Sequence, residues 1–191
     1  MLNKSILRLS VSGLLIAMGI IIPMFSPVKI LLEPASFTLA SHVAIFIAMF
    51  ISPGMAIAVA AGTTVGFFLG GFPLVVVLRA ATHLVFATGG ALYLYKMPET
   101  IDSAVKLRVY SFLVALTHAV SEIIVVSFFY FGNSMGTAYY QKGFLVSVML
   151  LVGLGTVIHS MVDFEIANVI ILLLRKQKVF ADMIVKKRPA A

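Results

Sequence analysis

Three pairs of ionisable side chains, each spaced i, i+4, stand inside long uncharged stretches of this sequence: Arg79 with His83, His118 with Glu122, and His159 with Asp163. On a helix that spacing puts both members of a pair on one face. A fourth imidazole, His42, opens a further apolar run, and Glu165 falls on nearly the opposite helical face from Asp163. Arg79 offers a rigid fork of donors to an anionic oxygen, the carboxylates accept from ring N–H or hydroxyl groups, and each imidazole can donate and accept. Asn133 and the adjacent Tyr139 and Tyr140 add further hydrogen-bonding groups in a later polar stretch. Structural roles compete with these: Arg79 and Glu122 can neutralise one another, a lone His can pack as a hydrogen-bonded core residue, Asp163 can anchor one helix to another, and Glu165 can be structural or face a partner.

Composition says what surrounds these groups. Of 191 residues, 61% are hydrophobic and only 11% charged, against about 25% charged in a soluble domain, and the mean hydropathy is +1.12. Too few polar residues remain to cover a water-facing surface, so the chain is expected in the cell membrane, where ionisable groups inside a span mark function by default. No charged residue occurs from Leu9 to Val28 or from Pro34 to Leu78, and the second run is cut by Ser52-Pro53-Gly54 and Gly70-Gly71-Phe72-Pro73. The pattern predicts an all-α membrane protein: one compact bundle of six transmembrane helices over 7–25, 38–52, 54–69, 74–95, 107–131 and 144–174. It forms a single domain, 1–191, with a long first outer loop at 26–37, a cytoplasmic loop at 96–106 and a basic tail at 175–191. The first apolar run follows Asn3, Lys4 and Arg8 as in a signal peptide, but no small-residue cleavage site closes it, so it reads as a retained helix.

Basic residues set the expected orientation. With both termini cytoplasmic, Lys4, Arg8, Lys96, Lys106, Arg108, Arg175, Lys176, Lys178, Lys186, Lys187 and Arg188 fall inside, and only Lys29 and Lys142 outside. The net charge of +7 then reflects orientation and contact with anionic lipid, not nucleic acid. Tyr93, Tyr95 and Tyr110 fall at the inner interface and Tyr130, Tyr139 and Tyr140 at the outer one, as amphipathic rings prefer. Arg79 then lies about one and a half turns from the outer surface, Glu122 about two and a half, and His42 close to that surface. The embedded groups of the second, fourth and fifth helices thus gather in the outer half, as a pocket open to the outside requires.

Other chemistries are disfavoured. The chain has no cysteine, which removes disulfides, thiolate catalysis and cysteine metal sites. Gly132-Asn133-Ser134-Met135-Gly136 matches G-x-S-x-G, but the nucleophile elbow needs a strand-to-helix turn that an outer loop cannot supply. Asn3-Lys4-Ser5 matches a glycosylation sequon at the cytoplasmic end, where that modification does not occur. The four His with Glu122 and Asp163 raise a transition-metal site, but no tight ligand spacing along the chain supports one, and neither a metal nor another cofactor is expected. Small residues at every fourth position, Gly54, Ala58, Gly62, Gly66 and Gly70, form a ridge suited to close helix packing within the bundle. Gly13 and Ala17 repeat that spacing on the first helix, where a partner protein is an alternative.

Six helices in this length, the small-xxx-small motif in the first, and the long outer loop from Ser26 through Phe37 together resemble the substrate-binding S component of energy-coupling factor (ECF) vitamin transporters. The resemblance covers essentially the whole chain. Its most distinctive part runs from Ser41-His42-Val43 to Ile51-Ser52-Pro53, followed by Gly71-Phe72-Pro73 and Arg79-Ala80. It implies a vitamin pocket between the outer parts of the fourth, fifth and sixth helices, lidded by the first outer loop. It also implies docking through the first helix to a transmembrane coupling protein (T component), with two cytoplasmic ATPases powering release. Gly13 and Ala17 match the docking motif, usually Ala-xxx-Ala. No nucleotide-binding loop is present in the sequence, so the chain is expected to be no enzyme and ATP hydrolysis to belong to the partners. Expected pocket residues are His42, Arg79, His83, His118, Glu122, Asn133, Tyr139, His159 and Asp163, and the niacin-type members are favoured. Pantothenate, pyridoxine and hydroxymethylpyrimidine remain open as ligands. A stand-alone secondary transporter or channel for a small solute or metal ion is the competing reading, and an intramembrane enzyme a weaker third.

Overall fold

The computed structural model describes residues 4–32 and 35–185; Asn3 of the sequon, Glu33 and Pro34 of the long loop, and Lys186, Lys187 and Arg188 of the basic tail lie outside the described residues. The elements in order are α1 (Lys4–Phe25), β1 (Lys29–Leu32), β2 (Ala35–Thr38), α2 (Val43–Ile51), α3 (Pro53–Leu69), α4 (Leu74–Lys96), a 3-10 turn (Pro98–Asp102), α5 (Ala104–Phe131), α6 (Thr137–Gln141), a π-helical segment (Leu145–Leu154) running into α7 (Gly155–Leu174), and α8 (Lys178–Ala181). Helical segments stand where all six were expected. Among the described residues, four spans are long and apolar enough to cross a membrane: Ser5–Phe25, Leu74–Lys96, Ala104–Phe131 and Leu145–Leu174.

The second segment departs most from expectation. Residues 38–42 are a turn, not helix, and α2 proper has nine residues. At 1.5 Å per residue it is about 14 Å long, less than half of a hydrocarbon core of about 30 Å. All nine of its residues are buried, as befits a helix apolar on every side, and α1, α3, α4 and α7 pack around it. Its end is written locally: the Ser52 hydroxyl accepts the Met55 N–H at 3.2 Å and Pro53 takes the first turn of α3, where a missing N–H costs nothing.

The ridge on α3 packs internally. A Cβ placed on Gly62 would stand 2.7 Å from Ile16 Cδ1 and 2.9 Å from its Cγ1, so α1 approaches here at backbone distance. Gly13 faces the other way: it is exposed, and no atom of the described residues lies within 4 Å of the position its Cβ would take. The two small-residue motifs therefore have different partners, α1 for the first and the surroundings of the bundle for the second.

Two connections carry more structure than their composition suggests. The long first loop is an antiparallel hairpin that pairs Lys29 with Thr38 and Ile30 with Phe37, a strand element added to the otherwise helical fold. At the opposite end the chain after α7 folds back, burying Met183 and Ile184, and the Val185 N–H donates to the Phe50 carbonyl at 2.9 Å. That bond satisfies one of the carbonyls left over at the end of α2. The basic tail is thus solvated only in part.

Candidate functional site

The embedded groups converge on the N-terminal end of α2. Asp163 of α7 is fully buried and accepts the backbone N–H of Ala40 at 2.7 Å and of His42 at 2.9 Å, with His42 Nδ1 at 3.2 Å from the same carboxylate. These contacts stop α2 from extending to residue 38 and hold Ala40 at a φ of 67°, a left-handed conformation that costs a non-glycine residue about 1–2 kcal/mol. They also draw His42 inward. Its ring centroid lies 4.7 Å from those of His83 and His118 and 5.0 Å from that of His159. The expectation that His42 sits near the outer surface gives way to a central position among the other three imidazoles, because half-length α2 begins inside the bundle.

Arg79 and Glu122 form the second half of the site. Arg79 Nη2 donates to Glu122 Oε2 at 2.9 Å, and the Thr156 hydroxyl donates to the same oxygen at 2.8 Å. The other oxygen, Oε1, faces His118 Nε2 at 3.5 Å and His83 Nε2 at 3.7 Å. The pairing of Arg79 with Glu122 is therefore present, yet it uses only part of a guanidinium with five N–H donors. Arg79 keeps 19% of its side-chain surface exposed, against 4% for Glu122, and lines the adjoining cavity, so the two expected roles of Arg79 are compatible.

That cavity measures about 230 Å³ and is bounded by the hairpin, the turn before α2, and α1, α3, α4, α5 and α7. Drug-sized ligands occupy roughly 300–1,000 Å³, so this space suits something smaller. Arg79, His83, Glu122, His42 and His159 are its polar lining residues, while Phe37, Phe67 and Phe72 supply aromatic walls. Phe37 belongs to β2 and reaches across to α7, its ring 5.5 Å from that of His159. A Cβ on Gly155 would stand 2.5 Å from Phe37 Cζ, so the close seat of this ring requires glycine there. The hairpin therefore roofs the cavity with one buried aromatic ring.

His118 and Asp163 are fully buried beneath the cavity, His118 with its Nδ1 paired to Ser160 Oγ at 3.4 Å. Asn133 is not brought to the site. It is exposed in the turn after α5 with a φ of 54°, a conformation Asn tolerates better than most residues. Tyr139 does not line the cavity either; it packs at the rim against the cluster of Val126, Val148 and Val152. Burial raises its phenol above the ordinary value, so it stays a neutral donor there. Tyr140 holds the same rim, its hydroxyl accepting the Met135 N–H at 3.0 Å and donating to the Tyr130 carbonyl at 3.3 Å. Glu165 lies away from the site, on the surface, 3.8 Å from Arg108.

Phe37, Ser41, Thr156 and Ser160 are site residues that spacing does not single out. Ser41 Oγ lies 3.0 Å from His159 Nε2, and Thr156 sits where the π-helical segment passes into α7, a type of irregularity common at functional sites.

The chain is 44% identical over 160 residues to the niacin transporter NiaX of Lactococcus lactis subsp. cremoris (strain MG1363), an alignment that covers 84% of this chain and 71% of that protein. No family model matches the chain, and no solved structure matches it significantly.

Proposed function

This chain belongs to the family of the niacin transporter NiaX, the niacin-type S components, and on that premise we propose that niacin is its own ligand. It is a multi-pass plasma-membrane protein. The identity to NiaX carries the reading, and the cavity is in keeping with it. Niacin at neutral pH is a single aromatic ring bearing one carboxylate. The carboxylate engages the free donors of Arg79, the ring nitrogen meets the imidazoles, and the ring stacks among Phe37, Phe67 and Phe72. The hairpin bearing Phe37 opens to admit the vitamin and closes over it.

The full reading is that of an ECF importer. The bundle crosses the membrane six times with both termini cytoplasmic, and the cavity faces outward through the hairpin. A T component and two cytoplasmic ATPases drive release, and this chain has no catalytic role. Exposed Gly13 on α1, the least buried of the four long spans, together with Ala17 provides the docking strip. Gly13→Trp is accordingly expected to abolish ATP-dependent uptake in vesicles holding the whole transporter while leaving niacin affinity within about twofold; undiminished uptake by that variant would remove α1 as the docking face.

Isothermal titration of the detergent-purified protein tests the ligand, with pantothenate, pyridoxine and hydroxymethylpyrimidine as competitors. Niacin is expected to bind at least about a hundredfold more tightly than the others, a difference of about 2.7 kcal/mol. Equal or tighter binding of any competitor would contradict the niacin assignment. Uptake by the chain reconstituted alone would favour a stand-alone secondary transporter or channel instead.

A further inference from the structure

The imidazole cluster beneath the cavity has a property that recognition of a vitamin does not require. One ring nitrogen from each of His42, His83 and His118 lies within 4.8 Å of the other two; His83 and His118 are buried, and His42 keeps 11% of its side-chain surface exposed at the cavity. Among the described residues, His118 Nε2 and both ring nitrogens of His83 have no hydrogen-bond partner. Buried polar atoms normally find partners, and each one left without costs about 1–3 kcal/mol. Three imidazole nitrogens this close together, those of His83 and one of His118 without partners, offer a metal ion ready donors.

We propose that His42, His83 and His118 bind a divalent transition-metal ion of the imidazole-preferring kind, such as Zn²⁺, Co²⁺ or Ni²⁺, with Glu122 Oε1 as an adjacent oxygen donor. Tetrahedral coordination at about 2.0–2.1 Å places ligand nitrogens about 3.3 Å apart. The rings must therefore close in by up to about 1.5 Å from their present spacing, and a turn of His83 breaks no hydrogen bond among the described residues. Glu122 Oε1 already stands 3.5 Å from His118 Nε2 and 3.7 Å from His83 Nε2.

Two of the ligands are oriented as metal-binding histidines usually are, by a partner on the far nitrogen. His42 Nδ1 lies 3.2 Å from the Asp163 carboxylate, and His118 Nδ1 lies 3.4 Å from Ser160 Oγ. Charge favours a cation as well. With the imidazoles neutral, as ligation requires, Arg79 contributes +1 while Glu122 and Asp163 contribute −1 each, which leaves a buried net charge of −1. A second grouping, His42 with His159 and Asp163, is the poorer site because Asp163 is already committed to two backbone N–H groups. The ligands come from the start of α2, from α4 and from α5, which is why spacing along the chain does not reveal them.

The test uses the full chain purified without a polyhistidine tag, stripped with a chelator and titrated with Zn²⁺ and Co²⁺. Mass-spectrometric metal analysis is expected to find close to one ion per chain, and Co²⁺ is expected to give the intense visible bands of a low-coordinate site. His118→Gln and His83→Gln should each weaken Zn²⁺ binding by at least about a hundredfold, while the thermal midpoint of the metal-free protein stays near that of the stripped parent chain. No bound ion after titration would overturn the proposal, as would binding at full affinity in either variant or in the double variant. Niacin binding is measured on the same stripped and loaded samples. Metal without niacin leaves the metal site standing and contradicts the vitamin assignment, and niacin without metal does the reverse.

Discussion

Replacing Arg79 by alanine is expected to lower niacin affinity by about a hundredfold. A charge-assisted hydrogen bond contributes about 1.5–3 kcal/mol, and each 1.4 kcal/mol is about tenfold in affinity. The single variant also leaves Glu122 buried without its cation, since Arg79 Nη2 is its partner at 2.9 Å; breaking a buried pair on one side costs about 3–5 kcal/mol. Weak binding could then be mistaken for unfolding. The double variant Arg79→Ala with Glu122→Gln removes both charges and is expected to regain much of the thermal stability while niacin binding stays lost. A folded double variant that binds niacin as tightly as the parent would make Arg79 purely a structural partner of Glu122.

The second large effect is expected at Asp163. Its carboxylate accepts two backbone N–H groups and lies against His42 Nδ1, so Asp163→Ala strands two buried donors at about 1–3 kcal/mol each and releases the turn that sets the start of α2. The thermal midpoint should fall by roughly 10 °C on the scale of 2–4 °C per kcal/mol for a chain of this size. Asp163→Asn, which keeps one acceptor oxygen, should lose about half as much. Ala40→Gly should partly rescue the alanine variant, because glycine adopts the positive φ at position 40 without the Cβ penalty. A midpoint within about 2 °C of the parent would mean that the Asp163 contacts do not hold α2.

These two residues also show how far the sequence alone reaches. The i, i+4 pairs on α4, α5 and α7 are legible because helical periodicity is local, and all of them face the site. The breaks at Ser52-Pro53 and Gly70–Pro73 are legible for the same reason. The start of α2 is not, because the carboxylate that sets it lies 121 residues away from His42 in sequence. Asn133 and Tyr139 sit in a stretch whose polarity suggested a pocket, but turn geometry and rim packing direct them elsewhere. Phe37 gave no signal because a lone aromatic in a loop is indistinguishable from any other until the hairpin register aims it at Gly155 and His159. Met183 and Ile184 were masked by the basic residues around them, although two apolar side chains are enough to return the tail to the base of α2.

We propose niacin as the ligand of this membrane-embedded chain. Mass spectrometry of the small molecule that co-purifies with the protein from cells grown in rich medium tests it most directly. Niacin is expected at close to one molecule per chain, displaced by added labelled niacin and absent from the Arg79→Ala, Glu122→Gln double variant. A different vitamin in that position, or no niacin retained by a folded parent chain, would contradict it.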